Sequence, residues 1–118
     1  MTPGPPEAVE NPVELFLTSV VDAGSYAKLF SSRGKLLEKS LAVLKLARDQ
    51  LGIDGLTAPQ ISDILIKKFR VSSVYRQNVS SDLSKATQYV HRLKTGNEYK
   101  YLLMAAGESR LAEVAGPS

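Results

Sequence analysis

Residues 76 to 85 hold the densest group of side chains able to read or grip another molecule. Gln77 and Asn78 each pair a donor with an acceptor at the spacing of an adenine edge in a major groove, and Arg76 can take a guanine edge or a phosphate. Ser80, Ser81 and Ser84 are short enough to let a helix come close, and Lys85 adds a cation. Further along, Arg92, Lys94, Asn97 and Lys100 form a second set, three cations and an amide suited to a sugar-phosphate backbone. Thr57, Lys67 and Lys68 add phosphate-binding types upstream. The same residues also suit a solvated helix face, and the second set suits charges that guard an edge hairpin, so the elements carrying them must decide.

Covalent and metal chemistry find no comparable group. The chain has no cysteine, which removes thiolate nucleophiles, disulfides and Cys-based zinc sites together. Its single histidine, His91, has no second ligand type beside it and no nucleophile, base and orienter set around it, so it reads as a partly buried strand residue. There is no glycine-rich phosphate loop. No catalytic residue, no metal and no cofactor is expected, and the chain is not expected to be an enzyme. Tyr75, Tyr89, Tyr99 and Tyr101 could stack on single-stranded bases, although strand and turn positions favour core packing for at least two of them.

Charge is unevenly placed. The net charge of +3 over 118 residues hides a first segment, 1 to 34, with two Lys/Arg against four Asp/Glu, and a segment, 56 to 104, with eight against three. The basic stretch contains both candidate sets, which points to a polyanion partner.

The elements follow from periodicity and caps. Residues 1 to 10 are rich in proline and read as a disordered leader, and 115 to 118 as a frayed tail. Asn11, Pro12 and Glu14 start a helix expected from 12 to about 22, ended by Gly24, with Val13, Phe16, Leu17, Val20 and Val21 on its apolar face. Ser25 caps a short helical piece with Tyr26, Leu29 and Phe30, and Arg33-Gly34 breaks the chain. Leu37, Leu41, Leu44, Ala47 and Leu51 form one stripe of a helix over 35 to 51, stopped by Gly52. Thr57 and Gln60 make a capping box for a helix to about Arg70, which buries Ile61, Ile64, Leu65 and Phe69 and turns Lys67 and Lys68 outward. A turn over 71 to 75 leads to a polar helix near 77 to 86 whose thin apolar stripe is Val79, Leu83 and Ala86. Residues 89 to 94 and 99 to 104 are β-rich runs around Thr95-Gly96-Asn97-Glu98, a two-stranded hairpin. Alternation separates Tyr89, His91 and Leu93 from Val90, Arg92 and Lys94, and gathers Arg92, Lys94 and Lys100 near the tip. Residues 105 to 114 return to helix.

This order, helix, capped helix, turn, polar helix, hairpin, short helix, over residues 35 to 114, resembles the winged helix-turn-helix. Tyr101, Leu103, Gly107 and Leu111 resemble the Tyr-x-Leu-Thr-x-x-Gly-x-x-x-Leu ending of bacterial and archaeal winged-helix regulators, with Met104 in place of the threonine. The fold class expected is mainly α with a small antiparallel β-hairpin, plus extra N-terminal helices over 11 to 34. The resemblance implies a recognition helix near 77 to 86, a support helix over 58 to 70 and a wing made by the hairpin that follows, with Arg92, Lys94, Asn97 and Lys100.

Double-stranded DNA binding, as a dimeric transcriptional regulator, is the function expected. A DNA-binding adaptor in genome or plasmid partition, or a winged-helix module used for protein contacts, are the alternatives. The homodimer is expected from the surplus of large apolar residues before position 35: Leu15, Phe16, Val20, Leu29 and Phe30 would join two copies and set two recognition helices roughly 34 Å apart. No apolar run reaches the length of a membrane span, so a cytoplasmic, nucleoid-associated protein is expected.

Overall fold

The computed structural model describes residues 11–30, 35–71 and 76–115. The expected leader, the Arg33-Gly34 break, the turn over 72–75 with Tyr75, and the last three residues of the tail lie outside the described residues. Helix α1 spans Pro12–Thr18, a 3-10 helix Gly24–Phe30, α2 Leu36–Leu51, α3 Ala58–Lys67, α4 Arg76–Lys85 and α5 Ala105–Ala115. The strands are β1 Leu56–Thr57, β2 Val90–Thr95 and β3 Glu98–Leu103, in one antiparallel sheet of order β1-β3-β2. The architecture is mainly helical with a small sheet. The hairpin expected to stand alone is three-stranded, because Leu56 and Thr57 pair with Tyr101 and Lys100. Two residues are too short a run to show alternation, so this strand had no signature of its own.

Helix α2 is the centre of the molecule. Helices α1, α3, α4, α5, the 3-10 helix and β3 all contact it, so its burial exceeds the expected stripe: Lys39 and Ser40, off that stripe, are buried alongside Leu41 and Leu44. Ser40 Oγ satisfies itself on the Leu36 carbonyl at 3.0 Å. Buried Glu38 takes the Arg110 guanidinium of α5 at 3.2 Å, and burial of a carboxylate is tolerable only with such a partner. Gly52, at φ 70, closes the helix, with the Gly52 and Ile53 N–H groups donating to Arg48 and Ala47 carbonyls.

Helix α1 is shorter than expected. Asn11 caps it, its Oδ1 accepting from Val13 and Glu14 N–H, but the helix ends at Thr18 rather than near 22. Distant side chains decide this. The Ser19 carbonyl accepts from Lys68 Nζ at 3.0 Å, and the Asp22 backbone is held on both sides by the Gln50 amide, at 2.9 and 2.7 Å. These bonds hold an extended path that the apolar spacing of Val20 and Val21 does not reveal. Val20 consequently projects into solvent, 99% exposed.

The expected dimer seam is mostly a core. Phe16, Leu29 and Phe30 are buried in the same chain. The Phe69 ring, at the end of α3, stacks on Phe30 at 3.9 Å and meets Phe16 edge-on at 5.8 Å, so one ring gathers both N-terminal groups onto the core. Of the five residues, only Leu15 and Val20 remain exposed.

Helix α3 starts on the expected capping box: Thr57 N–H donates to Gln60 Oε1 at 2.9 Å and Gln60 N–H to Thr57 Oγ1 at 3.4 Å. It ends at Lys67, before the expected Arg70, because Arg70 adopts a left-handed φ of 58 and Val71 N–H closes on the Leu65 carbonyl at 2.9 Å. A glycine would have announced this stop; an arginine does not.

Gly107 sits where α5 comes closest to the start of the hairpin. A Cβ there would lie 2.6 Å from the Tyr89 carbonyl oxygen and 2.6 Å from Leu103 Cδ1, so α5 can pack against the start of the hairpin only with a bare Cα. Gly107→Ala should cost about 1–3 kcal/mol despite alanine's better helix propensity. Urea denaturation checks this; an unchanged or stabilised protein would mean that α5 does not pack so closely.

Candidate nucleic-acid interface

Helix α4 has one anchored side. Val79 and Leu83 are fully buried against α2 and α3, while Gln77, Asn78, Ser81 and Lys85 are all exposed. At 100° per residue these four fall within one quadrant or so of the helix circumference, so two amides, a hydroxyl and a cation share a single outward face. The helix therefore presents base-reading types together.

Two of the expected serines stand apart from that face. Ser80 is half-buried in the cleft between α4 and the hairpin, and Ser84 Oγ lies 3.5 Å from the Tyr101 hydroxyl. Ser84 thus ties α4 to β3 instead of facing outward. Arg76 begins α4, and its side chain lies outside the described residues.

The hairpin register separates the expected wing cations. Val90 faces Leu103, Arg92 faces Tyr101 and Lys94 faces Tyr99, which puts all six on one side of the sheet. His91, Leu93, Lys100 and Leu102 occupy the other. Lys100 does not join Arg92 and Lys94; it lines a separate, polar cleft with Thr57, Gln60 and the loop 52–55. His91 is exposed rather than partly buried. Gly96, at φ 65, opens the two-residue turn with Asn97, the sign that a tight II′-type turn needs at its first position.

Arg92 and Lys94 converge on one ring. The Arg92 guanidinium carbon lies 4.4 Å from the Tyr99 ring centre and Lys94 Nζ 5.9 Å, distances at which ring and cation attract. Tyr99 also lines the cleft that Gln77 and Ser80 line from α4. The two cations and Gln77 are therefore linked through Tyr99, which the sequence offered only as one of four rings able to stack on bases. Alternation along β3 put Tyr99 and Tyr101 on one side; only the cross-strand register shows which cations share it.

Upstream, Lys67 is exposed at the end of α3. Thr57 and Lys68 leave the expected set. Thr57 is buried with its hydroxyl spent on the α3 cap, and Lys68 is committed to the Ser19 carbonyl.

The ion pairs among the described residues all lie within or between α2 and α5. Lys45 bridges Asp49 and Glu108, and Arg48 reaches Glu108 at 2.9 Å, fastening α5 to α2. The hydrogen bond from Lys45 holds the Asp49 carboxyl below its usual range, and hydrogen bonds from Lys45 and then Arg48 do the same for Glu108. Among the described residues Lys85, Arg92 and Lys94 form no ion pair, which leaves these cations available to an outside anion.

No group of three potential metal ligands occurs among the described residues, and no helix among them is long and apolar enough to cross a membrane. No family model, no curated protein and no solved structure matches this chain.

Proposed function

We propose that this chain binds double-stranded DNA as a winged helix-turn-helix and acts as a transcriptional regulator. Helix α4 is the recognition helix, α3 supports it, and the β2–β3 hairpin is the wing. The observation that carries the reading is the outward face of α4: Gln77, Asn78, Ser81 and Lys85 stand exposed together while Val79 and Leu83 fix the helix from behind. A helix with two amides in its first turn, and a serine and a lysine further along the same exposed face, fits a major groove. Arg92 and Lys94 extend the same surface from the hairpin, through Tyr99, and would lie on the sugar-phosphate backbone. Two copies on one palindromic site would meet through Leu15 and Val20, the exposed members of the N-terminal apolar set.

Gel-shift titration of a selected duplex against random duplex, at low and at physiological salt, tests the proposal. Binding should weaken steeply with salt. Gln77→Ala or Asn78→Ala should cut discrimination between the duplexes by about 1–3 kcal/mol per lost bidentate contact. A flat salt response, or undiminished discrimination in both variants, overturns it.

A further inference from the structure

Between α4, the start of α3 and the hairpin lies a cleft of about 360 Å³, lined by Pro59, Gln77, Asn97, Glu98, Tyr99 and Tyr101 among others. Duplex reading through groove edges has no use for it, since a groove reader needs polar groups on a convex surface and this is a concave slot walled by two phenol rings and a proline. Tyr101 lines it as a buried residue whose hydroxyl lies 3.5 Å from Ser84 Oγ. Tyr99 forms an exposed wall, 39% accessible. Arg92 and Lys94 approach the Tyr99 ring yet do not line the cleft, so cations stand beside an aromatic slot rather than within it.

We infer that this cleft holds one unpaired nucleobase, stacked on Tyr99, with the adjoining phosphates on Arg92 and Lys94. The one charged residue that lines the cleft is Glu98, at its hairpin end, so the aromatic ring holds the occupant and the cations beside it, outside the cleft, hold the phosphates. Aromatic faces accept any base, because every base has a π-face, and neighbouring cations track the phosphates. The amides of Gln77, from α4, and Asn97, from the hairpin turn, both line the cleft and offer donors and acceptors to the edge of a base that is no longer paired. A base inside a duplex cannot enter, because both its faces are covered by its neighbours. The ligand is therefore a duplex carrying a single-stranded overhang or an unstacked nucleotide. The inference rests on the duplex-binding proposal and extends it to the junction between paired and unpaired strands.

Fluorescence anisotropy of the full chain with three labelled probes tests it: a blunt duplex, the same duplex with a short single-stranded overhang, and the same duplex with an overhang of abasic sites. The base-bearing overhang should bind about five-fold or more tighter than the blunt end, the lower end of what stacking one base on an aromatic ring contributes. The abasic overhang should recover little of that gain. Tyr99→Ala should abolish it and Tyr99→Phe should keep it, both variants melting as the parent does. Blunt-end binding with no gain from the overhang overturns this inference and leaves the duplex proposal standing. No binding to any probe overturns both. An abasic overhang as good as the natural one reduces the effect to phosphate contacts and overturns the base pocket without recourse to any variant. Saturation of the cleft by a proline-rich peptide, with oligonucleotides showing no Tyr99 dependence, would make it a peptide groove and overturn it too.

Discussion

Phe69→Ala is expected to lower the unfolding free energy by about 3 kcal/mol, the low end for removal of a core phenylalanine, because the ring is only half-buried. Its position makes the loss large all the same. The ring stacks on Phe30 at 3.9 Å and meets Phe16 edge-on at 5.8 Å, and aromatic pairs add about 0.5–1.5 kcal/mol beyond buried area. Truncation would open a void between α1, the 3-10 helix and α3, and uncouple residues 12 to 30 from the core. A small domain has about 5–15 kcal/mol in all, so the midpoint in urea should fall plainly. Limited proteolysis should then cut within residues 12 to 30 before the rest of the chain. Phe69→Leu, which keeps most of the volume, should lose less. A change below about 1 kcal/mol, or an N-terminal segment as protected as before, would show that Phe69 does not anchor it.

The second large effect concerns the hairpin. Replacing Arg92 and Lys94 together with alanine should weaken cognate and random duplexes alike, by about ten-fold per lost charged contact, and make the logarithmic dependence of affinity on salt shallower by about two. The expectation follows from the register, which sets both cations on the Tyr99 side of the sheet without an acidic partner among the described residues. Lys100→Ala and Lys68→Ala are the controls. Lys100 lies on the opposite side of the sheet, and Lys68 is bonded to the Ser19 carbonyl. Neither should change the salt slope, although Lys68→Ala should destabilise the chain by about 1 kcal/mol through the freed carbonyl. If the controls reduced the slope as much as the hairpin pair, the DNA surface would lie elsewhere.

Most of the element order was legible in the residues alone, and for local reasons. Thr57 with Gln60 makes a capping box from two side chains three positions apart, Gly52 supplies a left-handed stop, and Gly96-Asn97 supplies a tight turn; each is a short-range interaction that needs no knowledge of the rest of the chain. Val79 and Leu83 recur at helical spacing, so the polar side of α4 could be read as its outward side, and the structure leaves Gln77, Asn78, Ser81 and Lys85 there. Long-range contacts decided the remainder. Helix α1 stops at Thr18 because Lys68 and Gln50, far away in sequence, hold the extended path that follows. Leu56 and Thr57 become a strand because β3 passes beside them. Phe16 and Phe30 are buried within the one chain because the Phe69 ring meets both, and Leu29 is buried in the same core. The pairing of Lys94 with Tyr99, and with it the separation of Lys94 from Lys100, depends on which residues of two strands face each other. Period-two alternation gives each strand its two sides; only the pairing of the strands, set by the turn and the core beneath it, decides which sides coincide.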